Sequence, residues 1–187
     1  RLLAEEVGLF KVGLELYLAE GPSLLGELSK EVGGRRIFLD LKLYDIPNTI
    51  HRAVRVIMPG LAMITVPSDL GPAALKEIAA SPVFTVLAVT VLTSATAEDL
   101  KALGYARQYW ENPALLVVDR AVMAQRAGCH GVVCSGQEVK AVKEACGPDF
   151  LVVCPGIRPQ WALVPGDDQA RIVTPYQAIK NGADYIV

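Results

Sequence analysis

The sequence predicts an α/β protein of parallel strands, an open doubly wound sheet or a (β/α)8 TIM barrel, and three observations lead there. Apolar, β-rich runs alternate with amphipathic helical stretches at intervals of about 20–35 residues, the rhythm of βαβ units with right-handed crossovers. No G-x-G-x-x-G or P-loop follows any of these runs, which weakens the nucleotide-binding open sheet. Polar side chains gather after the ends of several separate runs, at Asp45, Thr93 and Arg158. That distribution suits a barrel whose site is assembled from its βα loops, and the barrel is the preferred reading.

Taken in order, residues 2–7 read as the end of a helix and 9–13 as a strand. Residues 24–32 are helical, with Ser23 as the N-cap after Gly21-Pro22. A strand at 37–43 precedes a helix from Asn48 or Thr49 to about residue 57. Residues 62–66 form a short strand, and Gly71-Pro72 opens a helix to residue 80. Another strand occupies 84–92, and Thr96-Ala97-Glu98-Asp99 starts a helix with acids in its first turn. Residues 112–127 are helical, 131–134 a strand, and Ser135 caps a helix through 145. After the strand at 150–154 comes a Gly/Pro-bearing loop over 155–172. Thr174-Pro175 begins a helix to Asn181 with Gly182 as its C-cap, and 184–187 is a last strand. These are seven strands where a closed barrel has eight, so a first strand and the C-terminal end are expected to lie outside these residues. No linker or shift of composition divides residues 1–187, which read as a single domain.

Hydrophobic residues make up 52% and charged residues 20% of the 187, enough for a sizeable core. A formal charge of −2 without a basic run argues against nucleic-acid binding. No apolar stretch approaches the roughly 20 residues that cross a bilayer, and the acidic opening residues do not resemble a signal peptide. Cys129, Cys134, Cys146 and Cys154 form no C-x-x-C pair and read as buried reduced thiols of a cytoplasmic protein. His51 and His130 stand far apart, so no metal site is expected.

The chemistry concentrates in the strand at 37–43. Ile37, Leu39, Leu41 and Leu43 fall on one face; Phe38, Asp40, Lys42 and Tyr44 fall on the other. Asp40 and Lys42 then point the same way, roughly 6–7 Å apart. Asp45 follows at the strand's end, where Pro47 breaks it. Burying charge costs several kcal/mol unless it is paired. A register-fixing ion pair accounts for one acid and one lysine. Two acids around a single lysine exceed neutralisation and suit a site that controls where charge develops.

The run from Asp40 to Thr49, Asp-Leu-Lys-Leu-Tyr-Asp-Ile-Pro-Asn-Thr, resembles the D-x-K-x-x-D-I-P-N-T signature of orotidine 5'-phosphate decarboxylases. Further stretches match in the same order: Phe10-Lys11-Val12-Gly13, Thr90-Val91-Leu92-Thr93-Ser94, Pro155-Gly156-Ile157-Arg158-Pro159 and Gly166-Asp167-Asp168-Gln169. The resemblance spans essentially the whole chain. It implies cofactor-free, metal-free decarboxylation of orotidine monophosphate to UMP and CO2 by a homodimeric (β/α)8 barrel. Lys42 is the implied proton donor to C6, Asp40 its neighbour beside the substrate carboxylate, and Lys11 completes the charged array. Asp45 and Thr49 are implied to reach the neighbouring subunit's site. Asn48, Thr93 and Ser94 would contact the nucleotide, and Arg158 and Gln169 its phosphate.

This sequence departs from the family pattern after the strand at 62–66. A V-H-A-x-G-G type turn is replaced by Val66-Pro67-Ser68-Asp69-Leu70-Gly71. An aspartate after the family's first strand and a Gly-Arg phosphate clamp after its last fall outside these residues. Two other functions stay open. One is a metal-dependent sugar-phosphate decarboxylase or aldolase on a related barrel, which shares D-x-K-x-x-D but not the Ile46-Pro47-Asn48-Thr49 tail. The other is a non-catalytic phosphate-binding barrel. Taken singly, Lys11 reads as a strand-end lysine, Thr93 and Ser94 as helix caps, and Arg158 as a solvated loop residue. Trp161 reads as loop packing and His51 as a helix-surface side chain.

Overall fold

The computed structural model describes residues 2–33, 35–57, 61–80, 83–159, 161 and 172–187. Among them run seven parallel strands: β1 (Phe10–Gly13), β2 (Ile37–Asp40), β3 (Leu61–Pro67), β4 (Thr85–Val89), β5 (Gly131–Val133), β6 (Leu151–Cys154) and β7 (Tyr185–Ile186). Each pairs with the next in sequence, in the order β1 to β7. The order never reverses, so the doubly wound alternative is excluded. The sheet is a curled half-barrel, which is what the described strands establish of the expected barrel.

Period-two alternation builds two cores on the two faces of this sheet. Ile37, Leu39, Ile64, Val66, Val86, Ala88, Val132 and Val152 join the larger cluster under the helices. Phe38, Met63, Leu87, Val89, Val133 and Val153 form the smaller cluster on the concave side. Strands buried on both faces read as continuous apolar runs, which is why they are visible in the sequence. Gly131 is required where β5 meets β6, since a Cβ there would sit 2.3 Å from the Leu151 carbonyl oxygen.

The connecting helices are α1 (Leu14–Glu20), α2 (Ser23–Val32), α3 (Pro47–Ile57), α4 (Pro72–Ala79), α5 (Ala97–Ala102), α6 (Arg107–Glu111), α7 (Pro113–Arg126), α8 (Val139–Cys146) and α9 (Pro175–Lys180). Proline opens α3, α4, α7 and α9, where its missing N–H costs nothing. Thr96 and Asp99 form a capping box at α5, and Thr174 accepts the Gln177 N–H at α9. Among the described residues no helix is long and apolar enough to cross a membrane.

Several local expectations are corrected. Residues 2–6 form turns instead of a helix end. The α1 helix is absent from the sequence reading because it buries no residue, so no apolar stripe announces it. Ser23 is not a cap: α2 starts on it and its hydroxyl donates to the Glu20 carbonyl. Ser135 accepts the Gln137 N–H in a turn, and α8 begins only at Val139. The greatest difference is in β2, which ends at Asp40 and not at residue 43.

Candidate active site

Parallel strands deliver their C-terminal ends to one rim, and the charged residues of β1 and β2 meet there. Gly13 pairs in register with Asp40, and Lys11 precedes it by two residues on the same face of β1. The Lys11 ammonium passes 3.0 Å from where a Cβ on residue 13 would be, and reaches 3.8 Å from Asp40 Oδ2. A bare glycine thus leaves the lysine its path.

Lys42 arrives by a different route from the one its spacing suggests. The chain leaves β2 after Asp40, and Lys42 takes φ +50°, alone in positive φ among the described non-glycine residues. From this left-handed turn its ammonium lies 3.0 Å from Asp40 Oδ1. The Asp40 side chain is 16% exposed, while those of Lys11 and Lys42 are 36% and 40% exposed. One largely buried carboxylate therefore holds two ammonium groups at the edge of solvent.

Thr65 completes the arrangement and is not singled out by sequence reasoning. Its buried hydroxyl donates to Asp40 Oδ1 at 2.9 Å and accepts the Lys42 backbone N–H at 2.9 Å. A threonine inside a β-rich run is an ordinary strand former; its polar neighbours across the sheet are the only signal.

The remaining candidates lie further out. Asp45 is exposed, its Oδ1 accepting the Ile46 N–H at 2.7 Å, and within this chain it joins neither lysine among the described ion pairs. Asn48 and Thr49 are exposed on the first turn of α3. Thr93 is half-buried and Ser94 exposed in the turn after β4. Arg158 is half-buried beside the bridge joining Ile157 and Val173, its backbone N–H donating to the Val173 carbonyl at 3.1 Å. Gln169 lies outside the described residues, as do Gly166, Asp167 and Asp168 of the same motif.

Lys42 also faces a cavity of about 440 Å³, shared with Tyr44, Pro67, Thr90, Tyr105 and Arg120. Pro67 ends β3 in extended geometry and pairs in register with Val89, so the departure from the family turn leaves the strand intact. Arg120, another residue without a sequence signal, reaches from α7 to donate to the Thr90 carbonyl and the Tyr105 hydroxyl. A larger groove of about 690 Å³ between α4 and α7 lies away from the strand ends and carries none of these residues. The cysteines are free and buried, and burial pushes the Cys129 thiol up to about 11, an inert setting.

A curled parallel sheet with lysines and a carboxylate gathered at its C-terminal rim is the architecture of α/β-barrel enzymes. The model of the orotidine 5'-phosphate decarboxylase / HUMPS family matches residues 1–187, and the chain belongs to that family. The orotidine 5'-phosphate decarboxylase of Desulfosudis oleivorans is 48% identical over 191 residues, covering 100% of this chain and 76% of the relative. A crystal structure of the Lactobacillus acidophilus orotidine 5'-phosphate decarboxylase superposes with a TM-score of 0.75 at 34% identity, over 95% of this chain and 75% of that one. An uncharacterized conserved protein from Geobacillus kaustophilus gives 0.79 at 32% identity, over 100% and 81%.

Proposed function

We propose that the chain decarboxylates orotidine 5'-monophosphate to UMP and CO2, as a carboxy-lyase of pyrimidine nucleotide synthesis. The observation that carries this reading is the Lys42 ammonium 3.0 Å from Asp40, with Lys11 on the other carboxylate oxygen. Relatives named for this activity at 42–48% identity support it.

The chemistry asks for fixed positive charge where an anion forms. Breaking the bond between C6 and the carboxylate releases CO2 and leaves the electron pair on C6. Lys42 stabilises that pair and gives it a proton, so that a C6–H bond forms as an Nζ–H bond breaks. The lysine is left neutral and recovers its proton from solvent, which its exposure allows. Asp40, beside the departing carboxylate, disfavours the bound ground state. Lys11 holds Asp40 from the other side and reaches the ribose. Thr93 and Ser94 meet the pyrimidine edge, and Arg158 and Gln169 the phosphate, whose distant binding energy helps to order the site.

In its finer form this reading has the half-barrel as part of a (β/α)8 barrel in a cytoplasmic homodimer without a cofactor. Asp45 and Thr49 then serve the neighbouring subunit's site, and Asn48 contacts the nucleotide. Their exposure supports this, as does that of Tyr44 and Ile46, which flank Asp45 at 65% and 66%.

The test is loss of orotidine monophosphate absorbance on adding protein, with and without a chelator. Turnover is expected in both, and Lys42→Ala is expected to lower kcat/KM by at least about 10³-fold, or about 4 kcal/mol of transition-state stabilisation. Near-normal turnover in that variant removes Lys42 from its role. Consumption of a sugar phosphate only with Mg²⁺ replaces the reading with its metal-dependent rival.

A further inference from the structure

The hydrogen bonds around Thr65 form a closed path that begins and ends on the same lysine. The Lys42 N–H can only donate, so Thr65 Oγ1 is its acceptor at 2.9 Å. A carboxylate can only accept, so the Thr65 hydroxyl proton goes to Asp40 Oδ1, also at 2.9 Å. Lys42 Nζ returns to that same oxygen at 3.0 Å. The Leu43 N–H adds a second tie, to the Thr65 carbonyl at 3.0 Å. A lysine adopts φ +50° only where its surroundings determine it, and two of those determinants come from Thr65.

We propose that Thr65 is a positioning residue for the proton donor: it pins the backbone of Lys42 in the left-handed turn and fixes the Asp40 carboxylate on which the ammonium rests. The inference rests on the decarboxylase reading and adds to it a residue that touches no substrate. Without the hydroxyl, the part-buried Lys42 N–H loses its acceptor and the carboxylate loses one of the bonds that fix it. The damage falls on the placement of the ammonium in the transition state. The groups assigned to the pyrimidine edge and the phosphate, Thr93, Ser94 and Arg158, follow other strands and keep their geometry, and Lys11 keeps its own path past Gly13. The cost therefore appears in kcat and not in KM.

The experiment compares wild type, Thr65→Val and Thr65→Ser in steady-state turnover of orotidine monophosphate, with UMP inhibition as a measure of binding and a thermal melt of each. Thr65→Val keeps the shape and loses both hydrogen bonds; kcat is expected to fall about 10- to 100-fold, with KM and UMP inhibition within about threefold. Thr65→Ser keeps the hydroxyl and is expected to retain kcat within about threefold. Wild-type kcat in Thr65→Val overturns the inference, as does Thr65→Ser proving as slow as Thr65→Val. A loss confined to KM and UMP inhibition overturns it as well. Should Thr65→Val not melt cooperatively, Thr65→Cys takes its place, its thiol being too weak a partner for either bond; slow turnover is expected there and wild-type kcat overturns the inference. A wild-type protein that leaves orotidine monophosphate untouched fails the decarboxylase reading itself, which separates the two.

Discussion

A missing side chain can set the position of a charged one. Gly13 has φ −88° and ψ 176°, extended backbone that any residue adopts, so its role is space and not conformational freedom. The Lys11 ammonium fills that space, 3.0 Å from the position of a Cβ. Gly13→Ala is expected to displace the end of a flexible side chain at little cost in stability. Steady-state kinetics should show kcat/KM lowered about tenfold with Tm within roughly 2–4 °C of wild type. Unchanged kinetics would mean that Lys11 reaches its place without that gap. Asp40 and Lys42 are legible in the sequence because charge inside an apolar strand is expensive and asks for a reason, whereas Lys11 is legible only through the family resemblance. Thr65 is not legible, since a strand threonine is common and only a neighbouring strand reveals its partners. The left-handed turn at Lys42 is hidden too, because nothing in the residue type announces it.

At the level of elements, caps and interior strands are legible and unburied helices are not. The α5 helix shows how much a cap can carry. Thr96 accepts the Asp99 N–H at 3.2 Å, and Asp99 Oδ2 accepts from the Thr96 N–H at 2.8 Å and from its hydroxyl at 2.7 Å. The backbone hydrogen bond from Thr96, followed by that from its hydroxyl, holds the Asp99 carboxyl below its ordinary value of 3.8. Because the folded value is the lower one, the stabilisation is complete above pH 3.8 and is lost as pH falls through the folded value. Asp99→Asn is therefore expected to remove part of the acid-induced loss of stability. Melting curves collected from pH 6 down to about pH 3 check this. A pH dependence identical to wild type would show that the box does not persist in solution. This helix follows the turn of Thr93 and Ser94, so its first turn fixes one end of a loop on the site's rim. By contrast α1, with Leu14, Leu16 and Leu18 at 56%, 45% and 72% exposure, has a run of leucines without a helical stripe, and the sequence reading places no element there.

For the molecule as a whole, strand order decides what one chain can assemble by itself. A sheet wound in a single direction gathers Lys11, Asp40 and Lys42 on one rim, yet the same signature carries Asp45 outward into solvent beyond the end of β2. The sequence alone places Asp45 at the end of the strand, near where Lys42 emerges. The turn at Lys42 breaks that geometry. An exposed acid between exposed Tyr44 and Ile46 suits a second chain better than it suits solvent. If the sites are shared across a two-fold axis, each takes Lys42 from one subunit and Asp45 from the other. Lys42→Ala and Asp45→Ala proteins are then each inactive, but a mixed dimer holds one intact pair. Equal mixing makes half of the dimers mixed, with one of two sites complete in each, so the mixture is expected to recover about a quarter of wild-type activity. Native mass spectrometry of the mixture establishes that subunits have exchanged. No recovery in such a mixture would put Asp45 back on its own chain, where the turn after β2 already holds it away from both lysines.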